Sequence, residues 1–102
     1  MTGPTLRRTV QITNPLGFHL RPKGEFAKLA SQFESTVKVS WQGRTGNGKS
    51  MWDLMLVSAP QGDEVTVEVT GPDARQALDA LAALLAAPTI GDDSEVGLAE
   101  NI

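Results

Sequence analysis

The chain has 102 residues, 40% of them hydrophobic, which supports one domain around one modest core. It contains no cysteine, excluding a disulfide framework and a thiolate metal site, and no apolar run near the ~20 residues of a membrane span. The formal charge of −3 is unevenly placed: residues 88–102 hold Asp92, Asp93, Glu95 and Glu100 and no base, residues 1–87 hold nine bases against eight acids, and no basic–aromatic interleaving points to nucleic acid.

Met1 to Arg8 lacks the apolar stretch of a signal peptide, so a cytoplasmic location is expected. Residues Leu6–Thr13 alternate Val10 and Ile12 with Thr9, Gln11 and Thr13, a strand pattern that Asn14, Pro15 and Gly17 break. A helix is predicted from about Leu20 to Gln32, with Pro22 in its first turn, where a missing N–H is harmless. Phe26, Leu29, Ala30 and Phe33 recur at helical spacing and are expected to face the core. Thr36–Trp41 reads as a half-buried strand, and Gln42-Gly43 as a hairpin turn into a short strand near Arg44–Gly46. A short helix is predicted at Met51–Val57, ended by Pro60-Gln61-Gly62. Glu64–Thr70 is the clearest strand, with Val65, Val67 and Val69 on one face. Ala74–Ala87 is the clearest helix, with Ala77, Leu78, Leu81, Leu84 and Leu85 in one stripe and Pro88 as its stop. Four strands with one apolar face each, and helices to cover them, predict an α+β two-layer, open-faced β-sandwich with an antiparallel sheet. Residues 1–87 form the expected domain, and residues 88–102 an acidic tail expected to be flexible.

His19, the only histidine, stands in Gly17-Phe18-His19-Leu20-Arg21-Pro22 between the first strand and the first helix. Backbone N–H groups and the positive end of the helix dipole converge there, a setting suited to a phosphoryl group on an imidazole. A neutral imidazole is nucleophilic near neutral pH, and its phosphorus–nitrogen bond keeps the group transferable. Arg21 offers a planar fork of donors for phosphoryl oxygens. Leu20 adds an apolar knob beside His19, and Lys23 a cation in the first turn expected to attract phosphate or an acidic partner.

This segment resembles the active-site motif of the HPr family, the histidine-containing phosphocarriers of the phosphoenolpyruvate-dependent phosphotransferase system. Asn47-Gly48-Lys49-Ser50-Met51 with Leu54-Met55 is similar to the family's regulatory-serine segment, and the spacing from His19 to Ser50 fits. Gly62–Val67 and Gly71-Pro72-Asp73 resemble its last strand and the turn into its last helix; in all the likeness covers roughly residues 6–87. It implies a sheet order of 1-4-2-3 in a βαββαβα chain with three helices on one face. It also implies phosphorylation of His19 on Nδ1 by Enzyme I and transfer to an EIIA-type acceptor, by a monomer with no metal or organic cofactor. Ser50 would be the target of the HPr kinase/phosphorylase, and the sugar and nitrogen-related branches of the family both stay open.

Ser50 has a structural reading as well. Ser50-Met51-Trp52-Asp53 resembles a capping box with Asp in place of Glu, and a phosphate at such an N-cap is expected to be tolerated. Leu20, Met51, Trp52 and Met55, with Lys49, are expected to form the partner-docking surface, while Leu54 and either Leu56 or Val57 fill the core. Arg21, Lys23, Lys28, Arg44 and Lys49 read as a basic rim for acidic partners. Two alternatives come from other classes. One is an HPr-like regulatory docking module without relay chemistry. The other is a nucleotide-binding protein, since Gly43-Arg44-Thr45-Gly46-Asn47-Gly48-Lys49-Ser50 satisfies the P-loop pattern. The shortness of the chain, and of the helix before Pro60, argues against that second alternative.

Overall fold

A computed structural model describes residues 3–88. Seven elements follow one another: β1 (Thr5–Gln11), α1 (Leu20–Ala30), β2 (Thr36–Trp41), β3 (Arg44–Asn47), α2 (Met51–Leu54), β4 (Glu64–Thr70) and α3 (Ala74–Ala86). The strands form one antiparallel sheet in the order β1-β4-β2-β3. The architecture is the expected α+β open-faced sandwich. The expected acidic tail lies, apart from Pro88, outside the described residues.

The alternation in each strand decides which face turns inward. Val10, Val37, Val39, Val65, Val67 and Val69 point to the helices and are buried, against Phe26 and Ala30 of α1 and Ala77, Leu78, Leu81 and Leu85 of α3. Register puts the remaining residues in cross-strand rows on the open face. Thr5 and Thr70 exchange a hydroxyl bond of 2.8 Å, Arg7 meets Glu68 at 3.1 Å, and Thr9 meets Thr66 at 2.9 Å. These polar pairs keep the uncovered face hydrated. Gln42 and Gly43 both take positive φ, 48° and 79°, as a two-residue turn between β2 and β3 needs.

Helix ends depart from the sequence pattern. The expected helix to Gln32 stops at Ala30, and Gln32 and Phe33 close tighter bonds to Leu29 and Ala30. The expected helix to Val57 is regular only to Leu54. Leu56 and Val57 then bond to Asp53 and Leu54, three residues back, which turns Val57 into the core and leaves Leu56 59% exposed. At the far end of the molecule the Asp73 carboxylate ties two connections together. It accepts from the Ser35 hydroxyl and from the N–H groups of Glu34 and Ser35, and these bonds, the Ser35 hydroxyl first, hold it below the ordinary carboxylate value.

Candidate functional site

The site is built on the connection from β1 to α1. Beyond β1 the chain is fastened at Ile12 and Thr13: the Ile12 N–H donates to Asp63 O at 2.9 Å and its carbonyl accepts from the Gly62 N–H at 2.8 Å, while the Thr13 hydroxyl donates to Ala86 O at 2.6 Å and its carbonyl accepts from Gln61 at 3.1 Å. The Gly17 N–H then closes a turn on Asn14 O at 2.8 Å, and the Phe18 N–H reaches Ala59 O at 2.8 Å. Gly17 has φ +72°, and a Cβ there would stand 2.7 Å from Ala59 O, so both conformation and space require glycine. Phe18 is buried and meets Phe26 edge to face, with centroids 5.9 Å apart.

With its neighbours held in this way, His19 becomes the N-cap residue of α1, in extended conformation (φ −85°, ψ −171°). Its ring is half-buried, and Nε2 is turned inward with less than 1 Å² accessible. The Lys23 N–H makes the first helical bond to His19 O at 3.1 Å, Pro22 has no N–H, and Leu20 and Arg21 supply the other first-turn amides. No acidic residue stands in this turn to compete for an anion, and the Arg21 side chain is exposed. The structure thus sets an imidazole at a helix N-terminus, with an exposed arginine in the same first turn, residue types suited to a tetrahedral anion. Among the described residues no group of three or more His, Asp or Glu side chains could hold a metal ion, and no helix is long and apolar enough to cross a membrane.

Other expected site residues fall differently. Lys23 is not a rim cation: it is 7% exposed, its ammonium sits over the Phe18 ring at 5.8 Å, and burial lowers its pKa from the ordinary value. The i, i+4 relation to His19, with helical side chains leaning toward the N-terminus, lays its stem over Phe18. Lys49 is not a docking cation, because its ammonium donates to Phe33 O at 2.7 Å, beyond the C-terminal end of α1. Eleven residues of α1, roughly 16 Å of helix, separate that end from His19.

Ser50 caps α2 as expected, its hydroxyl accepting from the Asp53 N–H at 3.2 Å. The reciprocal half of the capping box is absent. Asp53 Oδ2 accepts instead from the Asn47 N–H at 2.8 Å, because Asp is one methylene shorter than Glu and packs against Gly46. The P-loop pattern is likewise explained by packing. A Cβ at Gly48 would meet Val37 Cγ1 at 2.5 Å, Lys49 is committed to Phe33, and the helix that follows has four residues.

Leu20 is 64% exposed, Trp52 84% and Met55 50%, whereas Met51 is half-buried. Trp52, Met55 and Leu56 line one shallow cleft. Two further apolar residues are exposed: Leu16, on the loop before His19, for which no role is predicted, and Leu56, the alternative to Val57 for the core.

A family model described as the PTS HPr component phosphorylation site matches residues 6–87. The chain is 43% identical over 81 residues to the phosphocarrier protein HPr of Cupriavidus necator, covering 79% of this chain and 91% of that one. It is 38% identical over 80 residues to the HPr of Neisseria meningitidis serogroup A, covering 78% and 90%. Among solved structures, the HPr of Bacillus anthracis superposes with a TM-score of 0.77 at 30% identity, over 81% of this chain and 99% of that one.

Proposed function

The chain belongs to the HPr family, the phosphocarriers of the phosphotransferase system, and on that premise we propose that His19 is the residue that carries the phosphoryl group. The observation that carries this assignment is the half-buried imidazole at the N-cap of α1 with Nε2 turned inward. Such a ring is approached from its other edge, so Nδ1 is the attacking nitrogen. In the first transfer a phosphorus–nitrogen bond forms to Nδ1 as the bond to the imidazole of phosphorylated Enzyme I breaks. In the second, the bond to Nδ1 breaks as an EIIA-type acceptor takes the group. Positioning and charge compensation supply the assistance, since the phosphoryl transition state needs little else from a small carrier.

Arg21 and the amides of Leu20 and Arg21 stabilise the oxygens. Leu16, Leu20, Trp52, Met55 and Leu56 supply the docking face, with Met51 at its margin, and Arg21 suits an acidic partner rim. Lys23 we assign to holding Phe18 rather than the phosphate. The protein acts as a cytoplasmic monomer, and Ser50 is its candidate regulatory phosphorylation site for an HPr kinase/phosphorylase. Incubation with Enzyme I and labelled phosphoenolpyruvate is expected to give an acid-labile, alkali-stable label in the wild type and none in His19→Ala. A label that survives in that variant would overturn the assignment.

A further inference from the structure

We propose that Asn14 is a positioning residue for the histidine, holding the loop that presents it; the inference rests on His19 being the phosphoryl carrier. Between the end of β1 and the start of α1, residues Asn14 to Phe18 contain three N–H donors after Asn14, because Pro15 has none. Two of the three end on Asn14. Its Oδ1 accepts from the Leu16 N–H at 2.9 Å, and its carbonyl accepts from the Gly17 N–H at 2.8 Å. The third, from Phe18, goes to Ala59 O. Leu16 is 71% exposed, so its side chain contributes little to holding the loop. The short-range bond from Leu16 to the Asn14 side chain is the Asx-turn geometry, which asparagine and aspartate both support.

Asn14 itself is 5% exposed, and its Nδ2 is buried without a hydrogen-bond partner. A buried, unpaired amide lowers stability, so this residue holds the loop's geometry at a stability disadvantage. That trade separates a positioning role from a merely structural one. Asn14→Leu is nearly isosteric and removes both the orphan amide and Oδ1, while the Leu16 N–H it abandons lies on an exposed stretch that water can reach. Asn14→Asp keeps an oxygen for the Leu16 N–H.

The test compares both variants with wild type in three measurements: thermal unfolding, phosphorylation by Enzyme I with kcat and KM separated, and hydrogen exchange of the Leu16 amide. Asn14→Leu is expected to keep its melting temperature within a few degrees, to exchange the Leu16 amide at least tenfold faster, and to lose at least tenfold in kcat with KM unchanged. Asn14→Asp is expected to recover most of the kcat and the slow exchange. Wild-type kcat in Asn14→Leu, a loss that only follows its unfolded fraction, or an Asp variant no better than Leu each overturns the proposal. Label on His19 of the wild type in the same assay keeps the carrier assignment standing when the Asn14 proposal fails.

Discussion

Replacing Gly17 by alanine tests whether local backbone geometry, rather than any side chain, sets the candidate site. An L-residue held at φ +72° is strained by roughly 1–2 kcal/mol. The new Cβ would also lie 2.7 Å from Ala59 O and 3.0 Å from Pro60 Cα, both backbone atoms. Ala59 O cannot swing aside freely, since it accepts the Phe18 N–H at 2.8 Å. Relieving such a contact is comparable to overpacking a core, about 1–3 kcal/mol. The sum, roughly 2–5 kcal/mol, is a large part of the ~5–15 kcal/mol that holds a small domain together. It corresponds to a fall in Tm of about 8 °C or more for a domain of this size. Urea titration and thermal unfolding measure it, with Gly24→Ala as the control. Gly24 lies inside α1 with nothing within 4 Å of a built Cβ, and alanine there is expected to stabilise by about 0.5–1 kcal/mol. A Gly17→Ala destabilisation below ~1 kcal/mol would refute the reasoning, because neither strain nor clash would then be real.

Lys23→Met is expected to leave the phosphotransfer rate within threefold of wild type at low and at high salt; a tenfold loss at low salt that shrinks as salt rises would return Lys23 to the phosphate. Ser50→Glu introduces a carboxylate beside Asp53, whose own carboxylate is fixed on the Asn47 N–H. The substitution is expected to lower Tm in the wild-type background and much less in Asp53→Asn; equal losses in both would show that the two charges do not couple. Asp73 has a folded-state pKa below its ordinary 3.8, so its contribution is complete above that value and disappears as pH falls through the folded pKa. Asp73→Asn is accordingly expected to lower Tm at pH 7 and to flatten the acid limb of a Tm–pH profile, and an unchanged acid limb would exclude this carboxylate as its cause.

Thr36–Trp41 and Glu64–Thr70 appear in the structure with their predicted bounds, because alternation along a strand is a purely local pattern that one buried face reads out. His19 at a helix start, with Arg21 two residues on, was equally visible, since Asn14, Pro15, Gly17 and Pro22 punctuate the chain locally. The side-chain roles that pattern does not give depend on what packs beside each residue in space. The Lys49 ammonium is engaged by a carbonyl sixteen residues earlier, and Gly48 is required by Val37 and Phe26 rather than by a nucleotide. Lys23 turned inward because Phe18 offered an aromatic face, and Leu56 turned outward because Val57 took the core position. Periodicity and punctuation thus determined the elements and the place of the candidate nucleophile. Which cations, glycines and apolar residues serve the site was decided only by tertiary packing, because a side chain's partner is a matter of three-dimensional proximity that short-range pattern does not encode.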